Sequence, residues 1–375
     1  KWNYVGGVSD GTRVLGLGDI GAHAGMPVME GKALIFKYLG GVDAFPICLA
    51  TKDPQEIIQA VKWLEPTFGG INLEDFSKPK CFDILDTLRN EMPIPVWHDD
   101  QQGTAAVVLA GVINALKVVG KKMSNAKFTL VGSGAANTRS FYILESAGVN
   151  PKNVIIVDSR GTLHHNRGDL KGTYKWPMTL KTNPDGIEGD KTEAMKGSDI
   201  VIAASRPGPG VIKPNEVALM ADDAIVFACA NPIPEIWPWE AKESGAKVVA
   251  TGRSDFPNQV NNSLVFPAIF RGALDVRAKT ISDEMCIASA IELAKYAEDK
   301  GINEEYILPT MSEWEIYPRQ AVETGLKAIK QGLAKRKLSR QELYEHADYI
   351  IGRTHKIVEL LMKQGFIEAP PPEIL

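Results

Sequence analysis

Short apolar runs alternate with longer stretches of helical spacing along this chain, and their order predicts its elements. Residues 4–45 open with apolar runs broken by a turn signal at 8–11 and a glycine-rich stretch at 14–21, after which residues 29–39 read as a helix carrying Lys32 near its start. Asp53 followed by Pro54 marks a helix N-terminus, with Asp as cap and Pro at the first position, and that helix ends before Pro66. Residues 68–73 and 94–97 are strand-like, with a helix at 80–89 between them. Apolar residues at 105, 108, 109, 112, 113 and 116 keep the helical period, so 104–117 forms a helix expected to bridge two domains. Strands at 127–131, 154–158, 199–203, 224–229 and 247–251 alternate with helices, which implies a parallel sheet. From 281 onward the chain is helical, and the proline run at 370–372 is expected to fray.

Two of the strand-like runs deliver paired carboxylates, Glu74-Asp75 and Asp99-Asp100. Successive side chains on a strand point to opposite faces, so neighbouring aspartates share one site only where the chain turns. Strand ends with helices between them are the ligand edge of an open α/β sheet. Glu74, Asp75 and Asp100 together offer hard oxygen ligands suited to Mg²⁺ or Mn²⁺; helix N-capping is the alternative. Lys32 taken alone is a solvated charge on a helix, because a lysine base needs its pKa lowered by desolvation or a nearby cation. His98 has no second histidine at ligand spacing and reads as structural, while His164 and His165 sit in a polar loop and read as surface residues. Asn231, Asn261 and Asn262 fit either polar contacts at loop ends or turn chemistry.

Two glycine motifs compete for a dinucleotide. Gly16, Gly18 and Gly21 satisfy G-x-G-x-x-G, but no clean helix and acidic strand end follow, so a tight substrate-side loop is the preferred reading. GSGAAN at 132–137 lies between a strand and a helix, and Asp158 ends the next strand, which makes Gly132, Ser133, Gly134, Ala135 and Ala136 the better phosphate cradle. Asn137 stands in place of the third glycine, a position that serves helix–strand packing. Asp158 favours the ribose hydroxyls of NAD, whereas Arg160 would answer a 2′-phosphate and keeps NADP open. Ser205, Arg206 and Asn231 begin loops after later strands and are further candidate cofactor contacts.

Composition narrows the class. The 375 residues are 44% hydrophobic and 23% charged with a net charge of -4, enough for two buried cores and without the basic surface that nucleic acid requires. Four cysteines without paired short spacing suggest neither a zinc site nor a disulfide framework, and point to a reducing cytoplasm. No apolar run reaches the roughly 18 residues of a membrane span, and the first residues lack a signal-peptide core. A small-molecule partner is expected.

Several ordered motifs resemble the malic enzymes, specifically the short prokaryotic type: SDGTRVLGLGDIG at 9–21, PVMEGKA at 27–33, GINLED at 70–75, HDDQQGTA at 98–105 and ATGRSDFPNQVNN at 250–262. The resemblance extends through about residue 290 and implies an α/β fold of two lobes. A substrate domain of amino-acid-dehydrogenase-like type would be built from 1–103 and the C-terminal helices of 264–375, around a Rossmann-like, doubly wound cofactor domain at 104–263. It further implies metal ligation by Glu74, Asp75 and Asp100, Lys32 as general base oriented by Asp99, Arg13 on a malate carboxylate, and Asn231 and Asn262 completing the substrate pocket. The implied reaction is NAD(P)-dependent oxidative decarboxylation of L-malate to pyruvate: Lys32 takes the C2 hydroxyl proton as hydride leaves for the nicotinamide, and the metal stabilises the enolate left by CO₂. Members of the family protonate C3 with a tyrosine in a Tyr-Thr-Pro-Gly type motif; none of the nine tyrosines here has that context, so the donor is expected in a segment preceding Lys1. A homodimer or higher homo-oligomer is also implied. The rivals are a malolactic enzyme releasing lactate, a catalytically impaired nucleotide-binding relative, and an amino-acid dehydrogenase that needs no metal.

Overall fold

A computed structural model describes residues 1–368; the proline run at 370–372 lies outside the described residues. Two sheets organise the chain. The first holds β1 (Tyr4–Ser9), β2 (Asp43–Cys48), β3 (Gly70–Glu74) and β4 (Val96–His98) in the order β2-β1-β3-β4. Its neighbouring strands are all parallel. Helices α1 (Gly21–Gly40), α2 (Pro54–Leu64) and α3 (Lys80–Glu91) make the connections. The second sheet holds β5 (Phe128–Val131), β6 (Val154–Asp158), β7 (Gly161–Thr162), β8 (Ile200–Ala203), β9 (Ala224–Ala228) and β10 (Ala246–Thr251), ordered β10-β9-β8-β5-β6-β7. It is parallel except for the two-residue β7. Such a sheet is buried on both faces, which is why β8 and β9 are continuous apolar runs rather than alternating ones.

Each sheet reverses its strand order once. β1 has β2 on one side and β3 on the other, and β5 has β6 on one side and β8 on the other. Outside the carboxyl ends of the strands at such a reversal, the connections diverge and leave a crevice for ligands. The first reversal places the residues after Ser9 beside Glu74; the second places Gly132 beside Ala204.

Helix α4 (Thr104–Val118) joins the two sheets and is apolar almost all round, as a helix inside a core must be. Its residues share one cluster with Trp97 of the first sheet, Phe128 and Phe227 of the second, and Phe266 and Phe270 of the C-terminal helices. Asn114, fully buried in α4, donates from its amide to the carbonyls of Ala294 and Ile307 at 2.8 and 2.9 Å. Helices Phe266–Asp275, Asp283–Lys300, Ile316–Lys330 and Arg340–Lys363 complete the fold against α1 and α4. Among the described residues no helix is long and apolar enough to cross a membrane.

The predicted elements recur with two corrections. Helix α1 starts at Gly21 and passes through Pro27, so Lys32 lies in its middle rather than near its start. Ile20 offers no side-chain cap to announce that start, whereas Pro27 mimics one. His164 is buried rather than at the surface, because β7 pairs back onto β6 and draws the following residues inward. Replacing Asn114→Ala removes the side-chain donor from two buried carbonyls, of which only that of Ala294 lies within a helix, and is expected to cost about 1–3 kcal/mol, read as a lower denaturant midpoint at unchanged slope.

Candidate active site

The two crevices face each other across one cleft of about 1700 Å³. Every residue predicted for the site lines it except Asp99, which is fully buried behind Lys32.

On the first sheet, Glu74 ends β3 and Asp75 turns away in the left-handed region at φ 61°. The Asp75 N–H donates to Asp100 Oδ2 at 2.8 Å, and its carbonyl accepts from the Arg13 N–H at 2.8 Å. After β4 the chain makes a wide π-type turn at Asp99–Gly103 before entering α4. That turn sends Asp99 towards Lys32 and Asp100 towards Asp75, the division that two adjacent residues cannot achieve on a straight strand. Glu74, Asp75 and Asp100 each bring a carboxylate oxygen to within 4.8 Å of the others. Asp75 Oδ2 is buried without a hydrogen-bond partner. Burial first, and then the Asp100 charge, push the Asp75 carboxyl up to about 8. Burial also raises Glu74, Asp99 and Asp100. Crowded hard oxygens with an orphaned lone pair and too little positive charge fit a divalent cation such as Mg²⁺ or Mn²⁺.

Lys32 projects from α1 into this group. Its Nζ lies 2.5 Å from Asp99 Oδ2, 3.0 Å from Glu74 Oε1 and 4.2 Å from the centre of the Phe266 ring. Burial opposes its charge, yet Asp99 and then Glu74 overcome that and hold the ammonium above its ordinary pKa. Trp97 Nε1 donates to the second oxygen of Asp99 at 3.1 Å and so fixes the carboxylate paired with the lysine. His98 is buried without a partner for either ring nitrogen, and burial lowers it to about 3, which keeps it neutral.

On the second sheet, Gly132 adopts φ 99°, and a Cβ there would lie 2.6 Å from the Ala204 carbonyl oxygen. Gly134 caps helix α5 (Ala135–Ser146). Asn137 donates from its amide to the carbonyls of Val131, Gly132 and Ile202 at 3.0, 3.0 and 3.2 Å. Helix and strands are thereby stitched together by hydrogen bonds where a glycine would allow bare contact. Asp158 ends β6, its oxygens 2.6 Å from Lys175 Nζ and 3.4 Å from Arg167 Nη1. Burial works against its charge, but these cations and the Arg160 N–H hold its carboxyl below the usual range. The Arg160 side chain itself points outward to Asp169 at 3.3 Å.

The two halves touch. Arg13 Nη2 donates to the Ser205 carbonyl at 3.4 Å. Gly16, in the turn Leu15–Leu17, lies so close to the opposite wall that a Cβ would be 2.5 Å from the Asn231 oxygen and 2.6 Å from Pro207. Asn261 is tied to Gly252 and to the Ser263 N–H, and both it and Asn262 line the cleft.

Comparison with known proteins identifies the family. The family model "Malic enzyme, N-terminal domain" covers residues 4–89, and "Malic enzyme, NAD binding domain" covers 101–190 and 191–325. The chain belongs to the malic enzyme family. It is 50% identical to the NAD-dependent malic enzyme of Geobacillus stearothermophilus over 90% of this chain and 69% of that protein. It is 45% identical to the bifunctional malic/malolactic enzyme of Bacillus subtilis over 92% of this chain and 83% of that one. The crystal structure of the Entamoeba histolytica malic enzyme superimposes with a TM-score of 0.97 at 47% identity, covering 99% of this chain and 79% of the other.

As a malic enzyme the chain is an oxidoreductase with a nicotinamide-dinucleotide domain. Nothing local in the sequence points to Lys175 or Arg167, which reach Asp158 from an irregular stretch 17 and 9 residues away. Trp97 did carry a signal, since residues two apart on a strand share a face. Gly16→Ala is expected to push the lobes apart and to lower kcat/KM for substrate by on the order of 100-fold with little change in thermal stability; steady-state kinetics beside a melting curve checks it.

Proposed function

We propose that this chain catalyses the divalent-metal-dependent oxidative decarboxylation of L-malate to pyruvate and CO₂ with reduction of NAD(P). The observation that carries this reading is a lysine paired with two buried carboxylates, beside a three-carboxylate group, in one cleft with a dinucleotide fold.

Glu74, Asp75 and Asp100 would hold Mg²⁺ or Mn²⁺. Bound there, the cation supplies Lewis acidity towards substrate oxygens and a positive charge that favours the neutral amine of nearby Lys32. NAD(P), when bound, supplies the hydride acceptor. Lys32 Nζ takes the proton from the C2 hydroxyl as the C2 hydrogen departs with its electron pair. Asp99, itself held by Trp97, keeps the lysine aimed and stabilises the ammonium that forms. The Arg13 guanidinium pairs with a malate carboxylate in a planar, two-point contact. Asn231 and Asn262 position the remaining substrate oxygens. Breaking the C3–C4 bond then releases CO₂ and leaves its electron pair in the enolate of pyruvate; C3 must take up one proton to complete pyruvate, and the proton Lys32 removed from the C2 hydroxyl balances it.

On the cofactor side, Gly132 to Ala136 receive the phosphates at the start of α5. Ser205, Arg206 and Asn231 face the nicotinamide end. Asp158 supports NAD by accepting from the ribose hydroxyls; Lys175 and Arg167 beside it, with Arg160 further out, supply the charge a 2′-phosphate would need. The working division is a substrate and metal domain at 1–103, a cofactor domain at 104–263 and C-terminal helices at 264–375. A cytoplasmic homodimer is the expected setting.

A malolactic activity is the second reading, favoured by the bifunctional Bacillus subtilis relative. Incubation with malate and Mn²⁺ while following NAD and NADP reduction and assaying pyruvate and lactate decides between them: free NADH or NADPH with pyruvate is expected, and lactate without reduced cofactor would reverse the assignment. Lys32→Ala should lower the rate by about 10²- to 10⁴-fold while NADH binding, followed by fluorescence, persists. Chelation should abolish turnover and Mn²⁺ restore it; activity that survives chelation counts against the metal.

A further inference from the structure

The loops after β8 and β9, at 204–210 and 229–235, form the wall of the cleft that meets Arg13 and Gly16. Behind this wall, wholly excluded from solvent, lies Glu235. Its Oε1 accepts from the Ser205 N–H at 2.9 Å and the Ser205 hydroxyl at 3.3 Å. Its Oε2 accepts from the Ala230 N–H at 2.9 Å. The Glu235 carbonyl also accepts from the Ile212 N–H at 3.1 Å, which anchors the far side of the first loop. Among the described residues no ion pair reaches this carboxylate, whose charge is met by hydrogen-bond donors.

We propose that Glu235 is a positioning residue of the reaction centre, one carboxylate that locks together the two cofactor-side loops against which the substrate lobe closes. Each loop it holds bears a point of contact between the lobes: the Ser205 carbonyl accepts from Arg13, and Ala230 precedes Asn231, whose oxygen abuts Gly16. Burying a carboxylate without a cation is costly, so its position has to be explained. The explanation lies in valence. Only a carboxylate presents two acceptor oxygens a fixed distance apart, one for each loop, whereas the amide of glutamine presents one acceptor and turns a donor towards the other N–H. Protonation would have the same effect, and burial already raises this carboxyl to about 7 against the pull of its hydrogen bonds. With one loop released, Ser205 and Asn231 no longer meet Arg13 and Gly16 in a single geometry.

The proposal rests on the reading of the cleft as a malate and nicotinamide site, and its test separates the two. Wild type and Glu235→Gln are compared by hydrogen exchange at the Ser205 and Ala230 amides, by kcat and KM for malate, and by the affinity for ADP-ribose, which probes only the Gly132–Asp158 half of the site. Expected are about tenfold faster exchange at one of the two amides and about a tenfold fall in kcat/KM for malate, with ADP-ribose affinity unchanged. Unchanged exchange at both amides overturns the lock, and an equal loss of ADP-ribose binding shows a merely structural role. A wild type inactive on malate overturns the reading of the site, while the exchange data still decide the lock. If the glutamine variant does not fold, Glu235→Asp, which keeps both oxygens but shortens their reach, gives the same readouts.

Discussion

Glu74, Asp75, Asp99 and Asp100 crowd around the Lys32 ammonium beneath the cleft, and compensating that surplus of buried negative charge is the constraint on which the site depends. Desolvation raises all four carboxyls, while Asp99 and Glu74 keep the lysine charged. One ammonium cannot neutralise four carboxylates. The arrangement is coherent with the proposed divalent cation, and the nearby elements shape it: the left-handed turn at Asp75, the wide turn at Asp99–Gly103, the Trp97 bond to Asp99 and the Phe266 ring under Lys32.

The molecule carries another buried carboxylate by a different device. Glu235 is compensated by two backbone N–H groups and a hydroxyl. The first group leaves lone pairs for a ligand; the second spends its oxygens on the protein's own loops. The contrast follows from place. Glu74, Asp75 and Asp100 open onto the cleft at one sheet reversal, whereas Glu235 sits behind the wall built at the other. Helix α4 and the C-terminal helices bring the two reversals face to face, and Gly16 marks where the lobes leave no room for a side chain.

Much of this was legible in advance, for reasons that differ by residue. The glycines at 132 and 134 and Asp158 stood out because strand, turn, helix and strand follow one another without interruption, so local order matches spatial order. Asp53 and Pro54 announced α2 through chemistry confined to one turn. Lys32 was different: on spacing it is one more helical lysine, and only the resemblance of whole motifs to the malic enzymes singled it out. Its true place in α1 was hidden because Pro27 imitates a helix start. Asn137 shows that a departure from a motif can preserve its purpose, three hydrogen bonds replacing a close glycine contact.

By itself the sequence determined the succession of strands and helices, the two pairs of carboxylates at strand ends, the phosphate-binding turn and, through its motifs, the family. These depend on periodicity, caps and turns, which act over a few residues. Tertiary structure alone decided that Lys175 and Arg167 engage Asp158 and that Glu235 ties Ser205 to Ala230, and it closes the Lys32–Asp99 contact across 67 residues that only the resemblance had implied. Those contacts follow from strand order and from the packing of α1, α4 and the C-terminal helices, which only the sum of burial over the whole chain selects.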